Sequence, residues 1–395
     1  MLPFWHSRLA AIHGLYLTWL AGPCAHSGQS LEELDLFLKA APESFRKGMD
    51  MAVAKTGRKI SCLLTDAFLV FACEMARDMH IKWVPFWVPA PYYLSAHRYT
   101  DLIHDTYSNA CGGGEDGINI DGNSILRKPE AQTSGIEPTD KALEIVPGLS
   151  KMRFRDLPQE VLLGDSSSSL FSSTLYRIGG VLPQATAVIM NSFQELNPPT
   201  LTNDLKSKFQ DLLRGAGRES CSFSLVSQGQ FQRNSTNWVS AEDTTQGKIV
   251  PWAPQTHVLA HRAVGVHVTH CGYNSVFESI VGEVPMICRP ILGDNMFNAR
   301  MVEDDWGIGV GVEGGVFTKN GMLKSLKVVL GQGKRMPQET RDTKDFVLKA
   351  VLGHEQGKRP MREKIKDIKD RVVKAAGPNG IAFKDFKTLV GVISK

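Results

Sequence analysis

After residue 30 this chain alternates between two kinds of segment. Some are short and almost continuously apolar; the others carry apolar residues at helical intervals. Lys59-Ile-Ser-Cys-Leu-Leu-Thr-Asp66 is the clearest apolar run, and a second spans 81–88, with helical spacing over 70–80 between them. A strand with one wet face alternates polar and apolar residues. These runs do not, so both faces must be covered, which points to parallel strands sandwiched by helices. The pattern repeats at 187–192 and then, from 248, at 248–250, 264–270, 285–289 and 308–312. The expected class is therefore α/β. Ser30 and Glu33 have capping-box spacing and open a helix over 31–41 that should stop before Pro42, with a second over 45–54. Near the end, Pro360 in a first turn, a stripe of Met361, Ile365, Ile368 and Val372, and Gly377-Pro378 delimit the cleanest helix.

A length of 395 residues suits two such domains. The net charge of +4 is too small for a nucleic-acid binder, although residues 316–395 hold 19 Lys+Arg against 8 Asp+Glu. Without interleaved aromatics that surplus reads as a solvated basic helix. Seven scattered cysteines without a C-x-x-C pair read as reduced thiols, which favours a cytoplasmic location. One segment disagrees. Residues 9–20 are apolar, follow Arg8 and lead to Pro23-Cys24-Ala25, resembling a secretory leader, in which case Asn234-Ser235-Thr236 is a glycosylation site. His13 interrupts the segment and it is short for a membrane span, so no stable membrane insertion is expected. Residues 110–140 are Gly-, Asp- and Asn-rich and read as a loop; 206–247 have no period and read as a linker or degenerate region. Val329-Leu-Gly-Gln-Gly-Lys-Arg-Met336 recurs imperfectly at 351–361, too few copies for a solenoid.

The chemistry concentrates between Trp252 and Asn295. Run 264–270 delivers His270-Cys-Gly-Tyr-Asn-Ser275 into a turn that opens a helix. Unpaired N–H groups at a helix start, with the helix dipole behind them, hold anions such as phosphate. In open α/β sheets the crevice beyond the strand ends is where nucleotides bind. Trp252 is placed to stack on a base, His270, Asn274 and Ser275 to meet a diphosphate, and Glu278 to accept from ribose hydroxyls. Blander readings compete. Ser275 and Glu278 have capping-box spacing, with Asn274 and Ser275 suited to the N-cap itself. A Trp before a Pro is often packing, and His257, His261, His267, His270 and Cys271 invite a zinc reading that strand alternation disfavours.

Those 44 residues resemble the signature of plant secondary-product glycosyltransferases, family 1 UDP-glycosyltransferases. Its parts are Trp252-Ala-Pro-Gln255, Val268-Thr-His-Cys-Gly-Tyr-Asn-Ser275, Glu278-Ser279, Val284-Pro285-Met286, and Pro290 through Gly293-Asp294-Asn295. Ser61-Cys-Leu-Leu-Thr-Asp-Ala-Phe68, Asn191-Ser-Phe-Gln-Glu-Leu196, Glu313-Gly-Gly-Val-Phe-Thr-Lys319 and Phe386-Lys-Thr-Leu-Val390 extend it, most like flavonoid and anthocyanidin 3-O-glucosyltransferases. The resemblance implies a GT-B fold: an acceptor domain over 31–205 and a UDP-sugar domain over 248–376, flanked by an unmatched leader (1–30), the 206–247 linker and a tail (377–395). It implies inverting transfer from UDP-glucose to a flavonoid-like hydroxyl by a monomer, with no metal or other cofactor. By position, Trp252, Ala253, Gln255, His270, Asn274, Ser275 and Glu278 bind UDP. Tyr273, Asp294 and Asn295 meet the sugar, Phe68 and His97 line the acceptor pocket, and Asp66 is the catalytic Asp that orients a His.

The sequence also departs from that family. Its catalytic His sits in a Gly-His turn after the first strand, and no segment here matches that turn. His6, His13 and His26 stand in other contexts, which leaves His97 as the candidate substitute. The strand that opens the donor domain, with its phosphate-contacting turn, has no counterpart in 206–247. Tyr273 stands where Trp is usual, and Asn295 where the glucose-associated Gln is. Both domains are thus expected to be incomplete. The alternatives to an active enzyme are an inactive homologue that at most binds UDP or acceptor, and a nucleotide-binding regulator.

Overall fold

The computed structural model describes residues 30–110, 140–158, 161–162, 170–214, 250, 253–291, 293–312, 315–330 and 360–394. The leader-like segment, the Asn234 sequon, the 111–139 loop and most of the repeated segment lie outside them. In the first half α1 (Ser30–Thr56) precedes β1 (Cys62–Asp66), α2 (Phe71–Asp78), β2 (Lys82–Trp87), α3 (Pro91–Arg98) and α4 (Thr100–Ala110). Then come α5 (Leu170–Val181), β3 (Ile189–Met190) and α6 (Pro199–Arg214). The strands form a parallel sheet in the order β1-β2-β3, with Leu64 opposite Val84 and Asp66 opposite Phe86. The second half repeats the scheme: α7 (Gln255–Leu259), β4 (His267–Thr269), α8 (Tyr273–Gly282), β5 (Met286–Cys288), α9 (Asn295–Arg300), β6 (Gly309–Gly311) and α10 (Lys319–Val329). Its parallel sheet has the order β4-β5-β6. The chain is α/β throughout, as the apolar runs require.

Three expectations need correction. The two helices expected on either side of Pro42 are one, the 27-residue α1. A proline inside a helix forfeits a hydrogen bond and costs about 3 kcal/mol in isolation. Here Ala41 is buried, and Phe45 and Met49 pack on the core just beyond, so burial on both sides of the proline holds the helix together. Residues 206–214, read as linker, continue α6, whose Leu201 and Leu205 are buried. The tail is also structured. After α11 (Pro360–Ala376), which buries Ile365, Ile368 and Val372 as its stripe demands, the chain turns at Gly380 into α12 (Ile381–Ser394). This last helix returns to the first half. Leu389 packs against Val84, Ala187 and Ile189, while Lys82 Nζ donates to the Val392 carbonyl at 2.6 Å.

One continuous apolar core runs through both halves, from Leu63 and Trp87 to Phe277, Ile280 and Ile365. Polar contacts cross the same seam. Tyr92 donates to Asp305 Oδ2 at 2.6 Å, and Trp306 Nε1 donates to the Leu196 carbonyl at 3.3 Å. Among the described residues β1 and β4 are outer strands, and Leu64 and Val268 on them are each 44% exposed. No helix of the described residues is long and apolar enough to cross a membrane.

Candidate functional site

The site forms where β4 ends. Thr269 Oγ1 accepts the Cys271 amide at 3.1 Å, and Cys271 takes the left-handed backbone conformation (φ 68°) that reverses the chain. A Cβ on Gly272 would stand 2.4 Å from His270 Nε2, so only glycine lets the imidazole lie over the turn. The N-cap of α8 is Gly272, without a side-chain cap. Asn274 and Ser275 therefore stand in the first turn, and the capping-box reading of Ser275 and Glu278 is wrong. Their side chains are engaged elsewhere. Gln255 Nε2, from the first residue of α7, donates to Ser275 Oγ at 2.9 Å and to Glu278 Oε2 at 2.6 Å. Three residues predicted separately for UDP thus form one cluster. Burial pushes the Glu278 carboxyl above its ordinary pKa, and the Gln255 bond opposes the shift. His270 is exposed beside the turn, Ala253 is exposed before α7, and Trp252 lies outside the described residues.

Tyr273 is buried. Its ring packs on Phe277 at 4.8 Å, and its hydroxyl lies 3.0 Å from Ser192 Oγ in the first half. Asp294 precedes α9, with Asn298 Nδ2 donating to its Oδ2 at 2.9 Å. Burial raises the Asp294 pKa to about 6, against the pull of that hydrogen bond. Asn295, the first residue of α9, is buried. The zinc reading of four histidines and Cys271 gains nothing: among the described residues no group of three or more His, Cys, Asp or Glu side chains is arranged to hold a metal ion. His267 Nδ1 instead meets Ser279 Oγ at 2.6 Å.

Across the seam, β1 ends on Asp66. Its Oδ1 accepts the Phe68 amide at 2.9 Å, and burial raises its pKa. Phe68 stacks on Trp87 with ring centroids 5.6 Å apart. His97 is 2% exposed, with its ring edge-on to Tyr93 at 4.5 Å. Burial pulls its pKa down to about 3, so it stays neutral and is a poor proton acceptor. It sits beneath the aromatic wall, behind Trp87 and Tyr93. Among the described residues the Phe68 amide is the hydrogen-bond partner of the Asp66 carboxylate, and no histidine takes that place; His6, His13 and His26 lie outside them.

Sequence reasoning left Asn191 and Ser192 without a role. They follow β3, and both are buried against α8. A polar pair closing an apolar run was the available signal. A cavity of about 860 Å³ also opens on the seam, between Tyr92, Lys151, Asn197, Trp306, Lys364 and Arg371. None of the sequence-predicted site residues lines it.

The family described as UDP-glucoronosyl and UDP-glucosyl transferase matches this chain over residues 235–337. The anthocyanidin 3-O-glucosyltransferase UFGT of Vitis vinifera is 37% identical over 427 aligned positions, which take in 93% of this chain and 82% of that protein. Anthocyanidin 3-O-glucosyltransferase 2 of Fragaria ananassa is 38% identical over 426 positions, covering 92% and 81%. Among solved structures, a UDP-glucose:anthocyanidin 3-O-glucosyltransferase in complex with UDP superposes with a TM-score of 0.71 at 32% identity, over 94% of this chain and 84% of that one.

Proposed function

This chain belongs to the UDP-glucoronosyl and UDP-glucosyl transferases, with their GT-B arrangement, and from that premise we propose that it moves a hexose, glucose first, from a UDP-sugar to a hydroxyl of a flavonoid-like molecule. The observation that carries the reading is the Gln255 bridge. It gathers Ser275 and Glu278 at the start of α8, where a nucleotide's ribose and phosphates would be held together. Trp252 and Ala253 supply the uracil face, while His270 and Asn274 add donors for the diphosphate. Asp294 and Asn295, where α9 begins, meet the sugar hydroxyls, and Tyr273 supports that pocket from below. Phe68 lines the acceptor side, with His97 behind it.

The acceptor oxygen attacks the anomeric carbon as the bond to the β-phosphate oxygen breaks, with inversion. UDP departs with the bonding pair, its charge met by the N–H groups of α8. The acceptor's proton passes to a base oriented by Asp66. No metal or other cofactor enters this scheme. Monomeric, cytoplasmic operation belongs to the same reading, and the free thiols of Cys62, Cys73, Cys271 and Cys288 suit a reducing compartment.

Incubation with UDP-glucose and a flavonol tests it, scored by UDP release and glycoside formation. Product well above an Asp66→Ala control is expected; none above it sinks the activity. A second reading has its own support, because the carboxylate of Asp66 is paired with a backbone amide and with no histidine among the described residues. In that reading the chain binds UDP or acceptor without transfer, and UDP binding in calorimetry without glycoside formation would establish it.

A further inference from the structure

Among the polar contacts between the two halves, one fixes which way an amide faces. Asn191 follows β3 and is 2% exposed. Its Nδ2 lies 3.2 Å from the Val88 carbonyl oxygen and 2.8 Å from the side-chain oxygen of Asn274. A carbonyl oxygen only accepts, so the Asn191 atom beside Val88 must be the amide nitrogen. That nitrogen has two hydrogens. One goes to Val88, and the second is aimed at Asn274. The Asn274 atom facing it must therefore be the acceptor, Oδ1. The rest follows from the chemistry of a primary amide: with its oxygen committed to Asn191, Asn274 turns its two N–H donors the other way.

Asn274 is the second residue of α8, whose first-turn backbone N–H groups lack partners inside the helix. An Asn facing the opposite way would set an oxygen lone pair against any bound phosphate. We infer that Asn191 is a positioning residue for the donor site: from the acceptor half it locks the Asn274 amide with its hydrogens toward the diphosphate. Asn191 itself touches no substrate. Ser192 works beside it. Its hydroxyl pairs with Tyr273, the residue before Asn274, and accepts from Asn197 Nδ2 at 3.1 Å, so two consecutive residues after β3 hold two consecutive residues of α8. The donor site is thereby oriented by the half that carries Asp66 and Phe68. This inference rests on the reading of the α8 start as the UDP site.

The test compares binding of UDP and of uridine, which lacks the phosphates, by calorimetry. Asn191→Asp puts a carboxylate oxygen where a donor was and turns the Asn274 amide around. Its UDP affinity is expected to fall about tenfold to a hundredfold, the range for a hydrogen bond to a charged group, while uridine affinity changes less than about twofold. In an Asn274→Ala background the same substitution should add nothing further to the UDP loss. Asn191→Ser keeps a single donor and serves as the second variant where Asn191→Asp does not fold; the same selectivity for UDP over uridine is expected of it. Equal losses for UDP and uridine, or an undiminished UDP affinity, overturn the inference. A wild-type chain that binds no UDP overturns the underlying reading and this inference with it.

Discussion

Arg300 grips Asp156 across the two halves of the chain, its Nε donating to Oδ2 at 2.9 Å and its Nη2 to Oδ1 at 3.0 Å. Both side chains are largely buried, and Asp156 also accepts the Arg153 amide at 2.9 Å. Removing one member of a buried pair strands the other charge, which costs about 3–5 kcal/mol. Arg300→Ala should therefore lower unfolding stability by that order. Arg300→Lys should recover only part of it, because an ammonium cannot reproduce the two-pronged contact. Urea denaturation of the three proteins checks this.

Asp294 should give the protein a pH signature. Its pKa in the folded chain is about 6, raised by burial from the usual carboxylate value. The folded state thus holds a proton that the unfolded state has already lost between about pH 4 and pH 6. Stability falls as pH rises through that window and the penalty is complete above it. Asn in this position keeps an acceptor for Asn298 and carries no charge. Asp294→Asn is expected to be more stable than wild type at pH 7, by about 1–3 kcal/mol, with the gap closing near pH 4. Urea midpoints measured at both pH values are the check, and a gap independent of pH would refute it.

Two adjacent glycines in α5 should respond oppositely to the same change. A Cβ on Gly179 would lie 2.0 Å from the His97 carbonyl oxygen, where α3 and α5 touch, whereas a Cβ on Gly180 meets nothing within 4 Å. Gly179→Ala must push the helices apart and is expected to destabilise by about 1–3 kcal/mol. Gly180→Ala should be neutral or stabilise by up to about 1 kcal/mol, since alanine is the better helix former. Thermal melts of the two variants separate the effects.

Gln255 is exposed, so its loss should scarcely touch stability, within about 0.5 kcal/mol. Gln255→Ala nevertheless frees Ser275 and Glu278 from each other and removes the bond that opposes the upward pKa shift of Glu278. The expected result is a KM for UDP-glucose raised about tenfold, the worth of one hydrogen bond to a charged group, with an unchanged KM for the acceptor. A stability loss accompanied by equal effects on both substrates would contradict it.

The sequence was most informative where a choice is made locally. The run at 81–88 is apolar on both faces because β2 is covered on both, with Trp83 in one apolar cluster and Val84 in another, and α11 buries the stripe its spacing announces. β1 departs from the expectation, burying Leu63 and Thr65 but leaving Leu64 44% exposed on the outer edge. The apolar run predicts a strand over 264–270, longer than the one that forms. Only 267–269 pair, in register with three residues of β5, and Val268 is left exposed on the outer edge. The cluster at the α8 start was legible as a set of residues, but its wiring was not. Gln255 bonds to side chains about twenty positions away, and Asn191 meets a residue 83 positions on. No periodicity records such pairs; they exist only once the two halves have docked. The α12 stripe of Phe386, Leu389, Val392 and Ile393 was present in the sequence. Its apolar face has no partner nearby in the chain, so the segment read as a tail.

That helix sets an order of events during synthesis. The sheet residues it covers, Val84, Ala187 and Ile189, leave the ribosome two hundred residues or more before Leu389 does. Domains made first usually fold first, yet here the first half keeps a greasy face uncovered until the other half has been translated. Until α12 has emerged, the nascent chain therefore carries that apolar face without the helix that covers it in the finished fold.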